Sequence, residues 1–309
     1  MIVVCGESLI DLFAAGDTAA GVALDGRVGG SPFNVAIGLA RLAQTVSFFG
    51  AVSTGFLGER LMRALQDEGV RTDSIQRVDA PTTLGLVGLT ANGVPSYAFY
   101  GEGGADRQLG EDALALLPAD ISAIHVGSFA AVVEPVASTL RTLVERARGR
   151  ALISYDPNVR LNVVPDRALW RAAVARLLPF TDLLKISEED LSVLAPGLEP
   201  ELFARDALHK GVRLVVVTLG DGGARAWTAS ASATAPAVSV AVIDTVGAGD
   251  SLHAAMLAWL SEHDALSGEA LLGISMTDLA AALRFGVHAA ALTCSRRGAD
   301  LPRRAELGS

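Results

Sequence analysis

Short apolar runs alternate with longer segments of helical periodicity from residue 121 onwards. The apolar runs have the length of strands, and the longer segments have the length of helices. Strands that alternate with helices predict a parallel sheet with helices on both faces. The sequence therefore predicts an α/β fold built on an open, mostly parallel sheet. The alternating segments are residues 121–126, 136–146, 151–155, 168–178 and 183–186.

The segment 242–257 is typical of a strand end that is followed by a glycine-rich turn and a helix. Gly247 and Gly249 accept backbone angles that a side chain forbids, so the turn can direct several N–H groups at one point. The helix adds its unpaired N–H groups and its positive dipole end, and with Ala248 these features predict an anion site. Asp250 is either a general base beside that anion or an acidic residue at a favoured helix start.

A second group of candidate residues lies near the N-terminus. Asp11 follows the opening apolar strand, and ligands of open α/β sheets bind beyond the carboxyl ends of strands. It is a candidate to accept ligand hydrogen bonds, with a turn-capping role as the alternative. Gly29 and Gly30 let the backbone approach a ligand closely. Asn34 carries donors and acceptors together, which suits the recognition of hydroxyl groups.

Two segments do not follow the rhythm of strands and helices. Residues 16–28 are polar and glycine-rich, and residues 81–100 alternate around Asn92 and Gly93, which predicts a hairpin. A lone hairpin is marginal in water, so a ligand, the main domain or a second subunit must cover one face. The short alanine-containing patch at 230–236 is predicted to be a loop.

Composition excludes several classes of partner. The net charge of −9 argues against nucleic acids and anionic membranes, although backbone N–H groups and a metal can still hold phosphates. Cys5 and Cys294 lie in apolar stretches and are predicted to be unpaired. The chain shows no signal peptide and no apolar run that spans a bilayer, so we expect a cytoplasmic protein. Its 309 residues favour one domain with an appendage over two equal domains.

Two motifs carry a resemblance to a known family. Asp-Thr-Val-Gly-Ala-Gly-Asp at 244–250 resembles the C-terminal signature of the PfkB carbohydrate kinases, the ribokinase-like sugar kinases. Gly-Gly-Ser-Pro-Phe-Asn-Val-Ala at 29–36 resembles their N-terminal signature. The resemblance covers nearly the whole chain and is closest to the bacterial fructokinase branch. It implies a single ribokinase-like domain over 1–309, with a small β-sheet lid formed by about 12–28 and 81–103.

The same resemblance implies an activity and its participants. The γ-phosphoryl of MgATP would pass to a primary hydroxyl of a sugar, first of all fructose, giving fructose 6-phosphate. Asp250 would act as the general base, and the turn of Gly247, Ala248 and Gly249 as the anion hole. Magnesium is the implied cofactor and ATP the co-substrate, with potassium as a monovalent cation. Lids in this family often mediate dimers, which implies a homodimer through the lid.

The resemblance also assigns roles to single residues. For His288 the alternative is a histidine packed in the protein, and for Arg160 it is an arginine that points outward into solvent. The sugar-binding positions are Asp11, Gly29, Gly30, Asn34 and Arg160. The ATP-binding positions are Lys185, Ser187, Thr218, Gly220, Gly223 and His288. The metal positions are Asp190 for magnesium through water, and Asp244, Val246 and Gly298 for a monovalent cation.

The sequence departs from the family pattern at two places. The family usually has Asn-x-x-Glu near the magnesium, whereas this chain has Ser187-x-x-Asp190, which a helix N-cap also explains. Many relatives carry an arginine directly after the second tyrosine, where this chain has Gly101. A sugar acid needs a nearby cation, so this change weakens such a substrate. Arg107 either supplies that cation or is solvated.

Several functions stay open on the sequence alone. The acceptor is fructose, or else ribose, a nucleoside or 2-keto-3-deoxygluconate. A non-catalytic sugar sensor on the same fold is a further alternative, but such a protein would be expected to lose the base or the anion turn. A dinucleotide-dependent oxidoreductase is disfavoured because no third glycine follows Gly249 at the required spacing.

Overall fold

The computed structural model describes residues 1–89 and 95–308. Its strands are β1 (Ile2–Cys5), β2 (Leu9–Thr18), β3 (Gly21–Gly29), β4 (Val46–Phe49), β5 (Ala51–Ser53), β6 (Gln76–Val78), β7 (Leu84–Leu89), β8 (Pro95–Tyr100), β9 (Ala123–Gly127), β10 (Leu152–Asp156), β11 (Leu183–Ser187), β12 (Leu214–Thr218), β13 (Ala224–Trp227) and β14 (Ser232–Ala235). Its α-helices are α1 (Ser31–Arg41), α2 (Phe56–Asp67), α3 (Val136–Ala147), α4 (Arg167–Leu177), α5 (Glu188–Leu194), α6 (Pro200–His209), α7 (Ala248–Glu262), α8 (Gly268–Gly273) and α9 (Met276–Cys294).

The main sheet has eight strands in the order β14-β13-β12-β11-β10-β9-β1-β4. The strands from β12 to β4 in this order run parallel, and β13 and β14 add an antiparallel edge. From β1 the chain passes to β4 on one side and later returns to β9 on the other. This reversal creates a crevice at the carboxyl ends of β1 and β9, where open α/β sheets bind ligands. The predicted α/β fold is confirmed.

The first strand shows how one sheet serves two hydrophobic cores. Ile2 and Val4 belong to one buried cluster, whereas Val3 and Cys5 belong to the other. Successive side chains of a strand point to opposite faces, so a fully apolar strand must be covered on both. Helices α1, α2 and α7 to α9 cover the first face, and α3 to α6 cover the second. Cys5 and Cys294 are free thiols, as predicted.

A second, four-stranded sheet has the order β3-β2-β7-β8. Strands β2 and β7 pair in parallel, and the two outer pairs are antiparallel. These strands come from the two segments that the sequence analysis assigned to a lid. The predicted turn at Asn92 and Gly93 lies outside the described residues. The covering role of this sheet stays a prediction.

One local prediction is wrong. Residues 230–236 were predicted to be a loop, but Ser232–Ala235 form β14 and pair with β13. The small residues of this segment give little hydrophobic signal, so the pairing depends on the neighbouring strand. The helical segment predicted over 136–146 is present as α3. No helix in the described ranges combines the length and the apolar character that a bilayer crossing requires.

Candidate active site

The glycine-rich turn begins α7 at the edge of the sheet where the parallel strands end. Gly247 is the N-cap residue and has a φ of 79°, a left-handed conformation that favours glycine. A Cβ at this position would lie 2.7 Å from Cβ of Ala299, so the close approach of the C-terminal loop also requires glycine. The first intrahelical bond runs from the amide of Ser251 to the carbonyl of Gly247, over 2.8 Å. The amides of Gly249 and Asp250 therefore have no intrahelical acceptor.

The carboxylate of Asp250 is buried and oriented by the neighbouring helix α1. Ser31 Oγ donates to Asp250 Oδ1 over 2.6 Å, and Asn34 Nδ2 donates to Asp250 Oδ2 over 2.8 Å. Burial raises the pKa of Asp250, and these two hydrogen bonds offset part of the rise. Asn34 donates its amide group to Asp250, and its predicted contact with a sugar stays a prediction. Ser31 was missed, because only the folded chain brings it to Asp250.

A buried ion pair lies behind the glycine-rich turn. Lys185 Nζ is 2.8 Å from Asp156 Oδ2, and both side chains are almost fully buried. Burial raises the pKa of Asp156, but the Lys185 ammonium outweighs burial and holds this pKa well below its usual range. A Cβ on Gly249 would lie 2.9 Å from Lys185 Nζ, so the ammonium sits directly against the turn. The predicted ATP-binding residue Lys185 and the predicted anion site are therefore neighbours.

Asp11 occupies the middle of the second sheet, on β2 between β3 and β7. A Cβ on Gly29 would lie 2.5 Å from Asp11 Oδ2, and a Cβ on Gly85 would collide with Asp11 Oδ1. A side chain on either neighbouring strand would therefore displace the carboxylate from this position. Burial raises the pKa of Asp11 to about 6, and the Arg160 guanidinium acts in the opposite direction. Gly85 was missed by the sequence analysis because glycine alone does not reveal which side chain it accommodates.

The predicted magnesium residues serve first as local structure. Ser187 is the N-cap of α5, and its hydroxyl accepts the amide of Asp190 over 3.0 Å. Asp190 Oδ1 accepts the amide of Val159 over 3.0 Å, so α5 is fixed to the loop that carries Arg160. Burial raises the pKa of Asp190, and the nearby Asp156 carboxylate adds to the rise. Arg160 itself is exposed and donates to the carbonyl of Val159 over 3.1 Å.

The remaining ATP-side residues lie further along the same edge. Thr218 ends β12, Gly220 has a φ of 57°, and Gly223 has a φ of 85°. The main chain of Ala235 leaves no space for a Cβ on Gly223. His288 is half-buried on α9, and none of the hydrogen bonds found in the described ranges joins it to the glycine-rich turn.

The three predicted monovalent-cation residues are brought together by one carboxylate. Asp244 Oδ1 accepts the amide of Val246 over 3.1 Å, and Asp244 Oδ2 accepts the amide of Gly298 over 2.9 Å. These bonds fix the loop before α7 to the loop after α9. No cluster of three or more metal-ligating side chains of His, Cys, Asp or Glu occurs within 1–89 and 95–308.

Solved structures share this architecture. Fructokinase from Xylella fastidiosa with bound ATP superposes with a TM-score of 0.87 at 26% sequence identity, over 99% of this chain and 96% of that chain. Fructokinase from Vibrio cholerae O395 gives a TM-score of 0.83 at 26% identity, over 99% and 97% of the two chains, in a form bound to fructose, ADP and calcium ion. An engineered double mutant of that protein was solved with fructose, ADP and potassium ion, and its TM-score is 0.84 at 26% identity, over 99% and 96%. The fold is thus ribokinase-like.

Sequence comparison identifies the family. The model of the pfkB family carbohydrate kinases matches residues 1–305. A fructokinase of Rhizobium leguminosarum bv. trifolii is 34% identical over 267 residues, which are 86% of this chain and 82% of that protein. The chain therefore belongs to the pfkB family of carbohydrate kinases and is an ATP-dependent sugar kinase.

Proposed function

We propose that this kinase transfers the γ-phosphoryl of MgATP to the primary hydroxyl of fructose and forms fructose 6-phosphate. The observation that carries the proposal is the pair of hydrogen bonds from Ser31 and Asn34 that aims a buried Asp250 carboxylate at the edge of the glycine-rich turn. A base and an anion site stand side by side here, as phosphoryl transfer to a hydroxyl requires. The fructokinases among the relatives support fructose as the acceptor.

Asp250 takes the proton of the attacking hydroxyl in this mechanism. Its pKa is raised by burial, which makes the carboxylate a stronger base than an exposed aspartate. Ser31 and Asn34 occupy one lone pair on each oxygen, so the carboxylate is held in a fixed direction. Fixed orientation matters because a catalytic group contributes fully only when the reacting atoms are already aligned.

The glycine-rich turn and Lys185 receive the charge that moves during transfer. The amides of Gly249 and Asp250 have no intrahelical acceptor, and the positive end of α7 adds to their effect. The Lys185 ammonium lies against the same turn and is held as a cation by Asp156. Preorganised donors of this kind stabilise a developing anion without reorganisation at the moment of reaction. We place the ATP chain between this turn and the loop of Thr218 and Gly220.

Magnesium fits this edge only through water. Mg²⁺ keeps several waters and binds proteins through one or two carboxylates together with substrate phosphates. Asp190 has one oxygen committed to Val159, which leaves its other oxygen for a water in the outer coordination shell. When bound, the ion supplies charge neutralisation of the ATP phosphates. The solved structures with calcium or potassium support a metal requirement, and potassium would lie at the loops that Asp244 joins.

The acceptor site lies between Asp250 and the second sheet. Asp11, Gly29, Gly30 and Arg160 border it, and the Asp11 carboxylate is free to accept sugar hydroxyls because glycine surrounds it. The second sheet would cover the sugar and exclude water, which otherwise competes as the phosphoryl acceptor.

The proposal also includes a cytoplasmic location. Its last part is a homodimer that forms through the second sheet. Val22 is 60% exposed and Leu24 is 45% exposed, and both lie on one face of the edge strand β3. Exposed apolar residues along an edge strand favour pairing with another chain. We expect Leu24→Asp to shift sedimentation from dimer to monomer. A wild-type monomer at all concentrations contradicts this part alone.

The acceptor is tested with a coupled assay of ADP release. Purified protein and MgATP are mixed with fructose, ribose, adenosine, glucose or 2-keto-3-deoxygluconate, with and without potassium. We expect turnover on fructose to exceed turnover on every other acceptor. Faster turnover on another compound keeps the kinase and replaces the substrate. Saturable sugar binding without ADP release supports the sensor alternative.

A further inference from the structure

A buried polar chain runs from the middle of the main sheet to the ion pair behind the glycine-rich turn. Its members are His125 on β9, Ser154 on β10 and His253 on α7, and each is at most 1% exposed. Histidine and serine are costly to bury unless their polar atoms find partners. The kinase mechanism above uses none of these side chains.

Short contacts connect the three side chains with each other and with Asp156. His253 Nε2 lies 2.5 Å from Ser154 Oγ, and Ser154 Oγ lies 3.2 Å from His125 Nδ1. The two imidazole rings also meet edge to face, with centroids 4.4 Å apart. At the other end, His253 Nδ1 lies 3.9 Å from Asp156 Oδ2, the oxygen that binds Lys185.

Both imidazoles are neutral in this environment. Burial lowers the pKa of His253, and burial together with the adjacent His253 lowers the pKa of His125. A neutral imidazole has one N–H donor and one acceptor nitrogen. A lone pair on His253 Nδ1 would face a carboxylate oxygen, which is repulsive, so the proton belongs on Nδ1. Nε2 then accepts the Ser154 hydroxyl proton, and Ser154 Oγ accepts the N–H of His125.

We propose that His253 is a positioning residue for phosphoryl transfer that acts through Asp156 and Lys185. Its Nδ1–H edge faces Asp156 Oδ2 over 3.9 Å, which is beyond hydrogen-bond distance, and attracts this carboxylate electrostatically. The carboxylate in turn holds the Lys185 ammonium against Gly249. The bond to Ser154 prevents the ring from turning away. The inference rests on the proposed role of the glycine-rich turn and adds a group that touches neither substrate.

The position of Asp156 explains why such support matters. Asp156 Oδ1 accepts the amide of Asn158 over 3.1 Å, while Oδ2 binds Lys185 and faces His253. A buried ion pair loses much of its attraction if its geometry is poor. The Lys185 ammonium lies so close to the turn that a Cβ on Gly249 would contact Nζ. A shift of Asp156 would therefore move the ammonium away from the turn.

A double-mutant cycle on the full-length kinase tests the inference. We expect His253→Ala to lower kcat about tenfold or more, the scale of other groups that orient a functional residue, with KM for ATP almost unchanged. In the Lys185→Met background the same substitution should cause no further loss of kcat. Losses that multiply in the double variant overturn the inference, because His253 would then act independently of Lys185.

Two conservative variants and one control separate positioning from packing. Asn at position 253 can place an N–H near the site of Nδ1, whereas Gln reaches the site of Nε2. His253→Asn should therefore recover more kcat than His253→Gln, and the reverse order overturns the inference. His125→Leu removes an equally buried imidazole at the far end of the chain and keeps the contacts of His253 with Ser154 and Asp156. We therefore expect a smaller loss of kcat than His253→Ala causes, and an equal loss overturns the inference.

The outcomes also distinguish this inference from the proposed function. Fructose phosphorylation by the wild type with a slow Lys185→Met variant supports the proposed function, whatever His253 does. A fast Lys185→Met variant removes the proposed role of Lys185, and the inference about His253 with it. Thermal unfolding of every variant shows whether a low kcat reflects loss of folded protein.

Discussion

The two sides of the candidate active site are built in opposite ways. On the phosphoryl side, Asp250 and Asp156 are buried, and each accepts hydrogen bonds from fixed side chains. On the acceptor side, Asp11 stands on a half-exposed sheet between two glycines. The first carboxylates are held in place by their partners, whereas within the described residues glycines border Asp11 on both neighbouring strands.

This difference separates the chemistry from the choice of substrate. A buried and hydrogen-bonded group has one orientation, so we expect the phosphoryl side to specify one reaction. The Asp11 carboxylate is partly exposed, and a carboxylate can accept hydroxyl groups of many sugars, so we expect the acceptor side to specify a class of compounds. Substitutions on the two sides of the site test this difference between the reaction and the choice of substrate.

The phosphoryl side is tested by Asp250→Asn. The amide has nearly the shape of the carboxylate but cannot take a proton, so we expect kcat to fall at least about a hundredfold, the usual scale of a general base. Sugar binding and thermal unfolding should change little. The assay is coupled ADP release, with fructose binding measured by calorimetry. Normal turnover of this variant would refute Asp250 as the base.

The acceptor side is tested by Asp11→Asn. A hydrogen bond to a charged group contributes about 1.5–3 kcal/mol, so KM for the sugar should rise about tenfold to a hundredfold with a smaller change in kcat. Asp17→Asn is the matched control, because Asp17 lies on the same strand and is exposed. An equal rise of KM in both variants would assign the effect to charge in general.

The space around Asp11 is tested by a pair of glycine substitutions on β7. A Cβ on Gly85 would collide with Asp11 Oδ1, whereas a Cβ on Gly88 meets no atom of the described residues within 4 Å. We expect Gly85→Ala to raise KM for the sugar about tenfold, since overpacking moves the carboxylate. Gly88→Ala should behave as the wild type. Steady-state kinetics of both variants gives the comparison, and equal KM values would contradict the role of the open space.

The smallest effect concerns Glu7, a carboxyl whose burial outweighs the opposing charge of Arg160. Glu7 lies between β1 and β2, is 1% exposed, and has its pKa raised by burial to about 7. Between its ordinary value of 4.5 and about 7 the folded state retains a proton that the unfolded state releases. Its contribution to stability therefore decreases as pH rises through this interval and stays low above it.

Glu7→Gln removes that titration. We expect the variant to gain stability relative to the wild type as the pH rises. The difference in free energy of unfolding, variant minus wild type, should be larger at pH 8 than at pH 5 by on the order of 1 kcal/mol. Urea unfolding at the two pH values measures the difference. The same relative stability at both values would show that Glu7 does not retain its proton. Asp106, whose pKa burial raises to about 6, titrates nearby and remains in both proteins.

Elements with strong periodicity were predictable from the sequence, and long-range contacts were not. The strand predicted over 151–155 is present as Leu152–Asp156, because its apolar residues signal a buried strand without help from the rest of the chain. The strand Ser232–Ala235 was missed because its small residues carry no such signal.

In the candidate site, too, the local turn was predictable from the sequence and the long-range contacts were not. The turn of Gly247 and Gly249 was visible because anion binding depends on local backbone geometry. The contacts of Asp250 with Ser31, and of Asp156 with Lys185, join residues that are distant in the chain. Such pairs follow from the topology of the sheet, which a single sequence does not display.

The space at Gly249 has a consequence for how this kind of protein evolves. A methyl group there would press against Lys185 Nζ, 2.9 Å away, while Asp11 and the acceptor side would be untouched. Any glycine codon becomes an alanine codon by one base change. A lineage that duplicates this gene is therefore one point mutation away from a protein in which Lys185 must shift, and we expect that protein to bind sugar as before while it consumes ATP more slowly.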